Sequence, residues 1–133
     1  MITVEFVNSV FAPFEQGDPP TFFRNSVADN VDWTIIGQDN PVQGRYTSKA
    51  ELISKGMNRI VNCLVPPVKR KITNVLVSGD WAIVENTGQS TTKKGEPYNM
   101  QFCWICRFEN EKIVEVRMYM DTALAKRTIE ENE

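Results

Sequence analysis

From Pro97 to Asp121 the chain reads PYNMQFCWICRFENEKIVEVRMYMD, with its large apolar residues on alternate positions. Tyr98, Met100, Phe102, Trp104, Cys106 and Phe108 share one parity; Asn99, Gln101, Cys103, Ile105 and Arg107 share the other. A period of two belongs to a strand, because successive strand side chains point to opposite faces. After a polar turn at Glu109-Asn110-Glu111-Lys112 the pattern resumes with Val114, Val116, Met118 and Met120, opposed by Glu115, Arg117, Tyr119 and Asp121. Both stripes belong on one face of an antiparallel hairpin. A stripe this broad, aromatic and sulfur-rich demands an apolar interior, which constrains the chain to a curved sheet laid over one.

The rest of the chain supplies the cover. Residues Thr3 to Gln16 place Phe6, Val7, Val10, Phe11 and Phe14 at helical spacing, Pro13 is expected to kink the last turn, and Gly17-Asp18-Pro19-Pro20 ends the helix. A short second helix is expected over Thr21 to Val27, carrying Phe22 and Phe23. Val31 to Ile36 reads as a strand with Trp33 and Ile35 on one face and Asp32 and Thr34 on the other. Turn formers fill Gly37 to Tyr46, and Ser48 with Glu51 forms a capping box opening a helix through about Leu64. Its buried stripe is Leu52, Ile53, Met57, Ile60, Val61 and Leu64, and Pro66-Pro67 terminates it. Strands follow at Lys69 to Ser78 and Trp81 to Gln89, then the hairpin described above. Asp121 or Thr122 caps a last helix, ALAKRTIEE. Helices and antiparallel strands segregated in this way make the class α+β.

Composition narrows the function. At 133 residues the chain is expected to form one domain, residues 1–133, burying roughly two-thirds of its unfolded surface. Fifteen basic and seventeen acidic residues leave a net charge of -2, with only Lys69-Arg70-Lys71 clustered, so no nucleic-acid surface is expected. No apolar run reaches the roughly 18 residues of a membrane span, and the opening MITVEFVNSVF has no basic stretch and carries Glu5, which points to a cytoplasmic protein. The absence of histidine removes Ser-His-Asp and Cys-His nucleophile systems, leaving acid-base work to carboxylates, Tyr, Lys or Cys. Cys103 and Cys106 form a C-x-x-C in mid-strand, where residues three apart face opposite ways; with Cys63 they read as structural thiols, too few for a zinc site. No metal and no cofactor is expected.

The order of elements, together with Gly17-Asp18, ADNVDWTIIG at Ala28 to Gly37, GRY at Gly44 to Tyr46, GEPYN at Gly95 to Asn99 and KIVEVRMYMD at Lys112 to Asp121, resembles the SnoaL-like branch of the nuclear-transport-factor-like superfamily. Ketosteroid isomerases, polyketide cyclases and limonene epoxide hydrolases belong to that superfamily. The resemblance implies a cone-shaped α+β barrel, its curved and mostly antiparallel sheet wrapped against helices around a deep apolar pocket, and a homodimer through the outer sheet face. It carries little chemistry across. The epoxide hydrolase acid on the last strand falls at Met118, its other triad members near Trp81 and Ile83, and its water-positioning pair near Trp33 and Ile35, so that triad is absent. The isomerase base falls at Thr34 or Ile35 and its oxyanion tyrosine near Phe11.

Glu85 is the acid of interest, since alternation from Trp81 and Ile83 carries it to the interior, where burial raises a carboxyl pKa and makes a base. The plainer reading puts it at the rim or pairs it with Arg24, Arg45 or Arg107. Asp121 matches the end of a family Y-x-D but directly precedes a helix, where an aspartate is first a cap. Asp18 and Asp32 read as loop or edge residues, and the Tyr46 and Tyr98 hydroxyls are expected to orient a polar group of a ligand. The expected pocket draws on Phe11, Phe14, Trp33, Ile35, Met57, Trp81, Ile83, Met100, Phe102, Trp104 and Met118. Three functions compete: binding of an apolar or aromatic small molecule, cofactor-free isomerisation or cyclisation with Glu85 as base, and a protein-interaction module.

Overall fold

The computed structural model describes residues 1–133. Helix α1, Val4–Glu15, starts where Thr3 accepts a hydrogen bond from the Phe6 N–H, and it buries Val7, Val10, Phe11 and Phe14. Asp18 caps α2, Pro19–Ser26, accepting from the Thr21 N–H at 3.2 Å, with proline at the first helical position, which needs no donor. The chain then runs through β1 (Val27–Ile35), β2 (Gly44–Tyr46), helix α3 (residues 49–61), β3 (Leu64–Ser78), β4 (Trp81–Thr92), β5 (Pro97–Glu109), β6 (Lys112–Met120) and α4 (Thr122–Asn132).

The six strands form one curved, open sheet in the order β2-β1-β6-β5-β4-β3. Every neighbouring pair is antiparallel except β1 and β6, which run parallel. Asn110 and Glu111 turn the β5–β6 hairpin with φ of 49° and 65°, the paired positive values of a type I′ turn. Helices α1 and α2 close over the sheet through one aromatic cluster. The Trp104 ring lies 5.1 Å from Trp33, 5.3 Å from Phe14 and 5.6 Å from Phe11, edge to face in each case.

Several boundaries differ from the sequence reading. Pro66-Pro67 does not end a helix: α3 stops at Val61, and the prolines lie near the start of β3, where the pairing with β4 is irregular between Val65 and Lys69. Leu64 is thus the first strand residue. GRY, expected in a loop, is the edge strand β2. In β6 a bulge follows the turn, so Ile113 and Val116 are both fully buried although three apart, and Val114 leaves the inner stripe.

The correction with functional weight concerns β4. Val84 pairs with Trp104, Ala82 with Cys106 and Gly88 with Met100, and residues directly opposite share a face. Ala82, Val84, Asn86 and Gly88 therefore point inward, while Trp81, Ile83 and Glu85 point out. Bulk misled the sequence reading, because the inward-facing Ala82 and Val84 stand beside Cys106 and Trp104 and are fully buried, so the smaller pair takes the crowded side.

Candidate functional site

A cavity of about 640 Å³ opens between α2, α3 and strands β3 to β6. Phe14, Phe23, Ile35, Trp104 and Met118 line it from the core; Ile53, Gly56, Met57 and Ile60 come from α3; Val68, Gly88, Phe102 and half-buried Met120 come from the sheet. Helix α3 can sit there because its middle, Leu52–Met57, is widened to a π-helix, with the Asn58 N–H reaching the Ile53 carbonyl. Gly56 lies in that widened stretch against Ile35, Leu52 and Tyr46, each 3.5 Å from where a Cβ would stand.

Polar groups are few, and no carboxylate is among the lining side chains. Lys49 is committed elsewhere: its Nζ donates to the Phe23 and Val27 carbonyls at 2.9 Å each and pairs with Asp29 at 3.1 Å. Asn86 is 2% exposed, donates to the Val84 carbonyl at 3.2 Å and keeps an Oδ1 with no partner. Trp104 Nε1 is likewise buried without an acceptor. Burial pushes the Tyr98 phenol well above the usual tyrosine range, eased by the positive charge of Arg70, so Tyr98 is a neutral donor. The Arg70 guanidinium lies over the Phe14 ring, 5.0 Å from its centroid.

An apolar hollow beneath a curved sheet closed by an N-terminal helical pair meets its match in known proteins. The SnoaL-like domain model matches residues 7–116. This chain belongs to the SnoaL-like domain family. Among curated relatives of this SnoaL-like chain, the dimerizing cyclase phiC of a fungal species is 31% identical over 111 residues, and the dimerizing cyclase tstC of Talaromyces stipitatus is 28% identical over 103. Those matches take in 80% and 74% of this chain but 49% and 45% of the relatives, so the chain spans about half their length. Two solved structures carry the fold: an NTF2-like protein from Burkholderia thailandensis (TM-score 0.76, 21% identity, 94% and 95% of the two chains) and a cystatin-like protein of unknown function from Xanthomonas campestris (0.77, 18%, 96% and 98%). A third, a candidate SnoaL-like polyketide cyclase from Jannaschia, superposes with a TM-score of 0.73 at 14% identity over 95% and 90%.

Within this SnoaL-like cavity the structure brings together Phe14, Ile35, Met57, Tyr98, Phe102, Trp104 and Met118 from the sequence-derived set. Phe11, Trp33 and Met100 are fully buried in the core and do not line the hollow. Tyr46 also lies behind the wall, its hydroxyl donating to the Val42 carbonyl at 2.7 Å. Trp81 and Ile83 occupy the outer face with Leu76 and Ile105. Glu85 is exposed and accepts a hydrogen bond from Asn74 at 3.0 Å, so it is neither an interior base nor paired with arginine. Arg24 donates to Thr21, Arg45 to Asp32, and Arg107 to Glu109 and Glu115. Asp121 caps α4, accepting from the Leu124 N–H at 3.1 Å.

The sequence reading missed Arg70, Asn86 and Gly88. Asn86 and Gly88 share the inverted parity of β4. Arg70 had a visible signal: it sits between Val68 and Ile72 at spacing two, so an apolar stripe carries it inward while Lys69 and Lys71 fall outside. All three cysteines are free, and burial pushes the thiols of Cys63, Cys103 and Cys106 upward, which makes them poor nucleophiles.

Proposed function

We propose that this chain binds an apolar small molecule in the cavity between α2, α3 and the sheet. The observation that carries the reading is an open-mouthed cavity of about 640 Å³, walled largely by aromatic, aliphatic and methionine side chains and within the range of small-molecule sites. Met57, Met118 and Met120 give that wall the adaptability that unbranched thioethers allow. Titration with N-phenyl-1-naphthylamine, a flat neutral dye that brightens in apolar surroundings, tests it: saturable fluorescence with a raised melting temperature supports the reading, and an unsaturable signal refutes it.

Chemistry of the isomerase or cyclase kind is the second reading, favoured by the names of the relatives and by Tyr98. A neutral phenol held in apolar surroundings stabilises a developing enolate oxygen. With no carboxylate lining the cavity, such a reaction is confined to substrates acidic enough to release their proton to water. Solvent deuterium entering 2-tetralone at the carbon beside its carbonyl, and slowing in Tyr98→Phe, would support this; exchange no faster than in buffer would exclude it for that substrate.

The outer sheet face, with exposed Leu76 and Tyr119 beside Trp81, Ile83 and Ile105, is the surface on which we place a second copy of the chain. Sedimentation equilibrium on Ile83→Lys against the parent chain checks it, a parent monomer being the refuting result.

A further inference from the structure

Arg70 is the one partly buried basic side chain with no carboxylate partner. Lys49 pairs with Asp29, Arg59 with Glu133, Arg107 with Glu109 and Glu115, and Lys126 with Asp39, all at 3.1 Å or less. Arg70 pairs with none of the chain's carboxylates. Its surroundings are the Phe14 ring, the cavity and, electrostatically, Tyr98. Glu15 accepts from the Ile72 N–H at 2.9 Å and forms no ion pair with Arg70. A guanidinium carries five donors, and taking it out of water without a counter-charge costs free energy that a protein ordinarily recovers through a partner.

The strand register shows where that partner belongs. Arg70 of β3 stands opposite Gly88 of β4, Gly88 stands opposite Met100 of β5, and Tyr98 lies two residues from Met100 on the same inner face. Gly88 presents no side chain between the two donors, and a Cβ there would find only ordinary contacts, 3.6 Å to Phe102 and 3.8 Å to Val68. Two donors thus flank a bare patch of sheet in a cavity that offers them no anion. We propose that the ligand is an apolar monoanion, its carboxylate or similar anionic oxygen group seated between Arg70 and Tyr98 and its hydrophobic body along Trp104, Met57 and Met118. This deepens the cavity reading above and rests on it. An arginine fork suits two oxygens of one planar head, and the Phe14 ring supports the guanidinium from 5.0 Å.

A matched pair of dyes separates the two ideas. N-phenyl-1-naphthylamine and 1-anilinonaphthalene-8-sulfonate differ only in the sulfonate, which stands in for the anionic head. Arg70→Met is expected to weaken the sulfonate about tenfold or more, the usual worth of a charge-assisted hydrogen bond, while moving the neutral dye by no more than about twofold. Equal loss of both dyes, or of neither, would overturn the anion inference and leave the cavity reading standing. Failure of both dyes to bind the parent chain would remove the cavity reading and this inference with it. A wild-type arm covers a variant that does not fold: 2-naphthoate should displace the neutral dye at lower concentration than 2-naphthamide, and the reverse order refutes the proposal.

Discussion

Gly88 offers the sharpest check on the cavity, because the space before it separates stability from binding. Its backbone is not in the left-handed region, and an added Cβ meets Phe102 at 3.6 Å and Val68 at 3.8 Å, which is ordinary contact. Gly88→Ala therefore adds one buried methyl, about 0.8 kcal/mol, and removes unfolded-state freedom, about 0.4 to 1 kcal/mol. The expected gain is about 1 to 2 kcal/mol. For 133 residues at ~2.1 cal/mol/K each, the melting temperature should rise by roughly 4 to 7 °C. Gly88→Leu pushes three further carbons into the hollow before Arg70, so it should keep the fold while weakening N-phenyl-1-naphthylamine by about tenfold or more. Differential scanning calorimetry and dye titration read the two effects. A melting point that falls in the alanine variant would show the space already filled, and undiminished dye binding in the leucine variant would place the ligand elsewhere.

Glu85→Gln should change stability by no more than about 0.5 kcal/mol and leave dye binding and any deuterium exchange intact, since the side chain faces water. Loss of exchange in that variant would restore Glu85 as a base. Asp121→Ala removes the cap of α4 and should cost about 1 kcal/mol in urea titrations without altering ligand affinity; a change in affinity would give the aspartate a role beyond the helix. Burial raises the pKa of Tyr98 and Cys106 in the folded chain, so the native state keeps protons that the unfolded chain gives up above about pH 8.5 for the thiol and about 10 for the phenol. That stability is fully present below those values and drains away as pH climbs past them. Urea midpoints at pH 7.5 and 10.5 should show the decline, with a smaller drop in Tyr98→Phe; equal midpoints would refute it.

The inner stripe of β5 was legible because its even positions from Tyr98 to Phe108, Cys106 apart, carry large apolar side chains, so parity and size agree along most of it. On β4 they disagree. Trp81 and Ile83 outweigh Ala82 and Val84 in bulk, yet the smaller pair faces in, because what fills a concave sheet is decided by the elements across from it. The same conflict sent Glu85 inward on paper and hid Asn86. Phe11 and Trp33 were rightly read as interior, but a stripe does not say whether a ring plugs the core or borders a hollow. The π-helical middle of α3, which sets the cavity's roof, leaves no mark in a pattern read at 3.6 residues per turn.

Lys69-Arg70-Lys71 lies on β3, a rim strand whose outer backbone has no neighbouring strand to pair with. Such a rim invites recruitment by another molecule's strand, and flanking prolines and outward lysines are a common deterrent. Pro66, Pro67, Lys69 and Lys71 supply that deterrent while the arginine between the lysines turns the opposite way. One charged triplet thereby serves two masters: replacing Lys69 and Lys71 should be felt as clumping in concentrated solution, and replacing Arg70 as a change in what the protein holds.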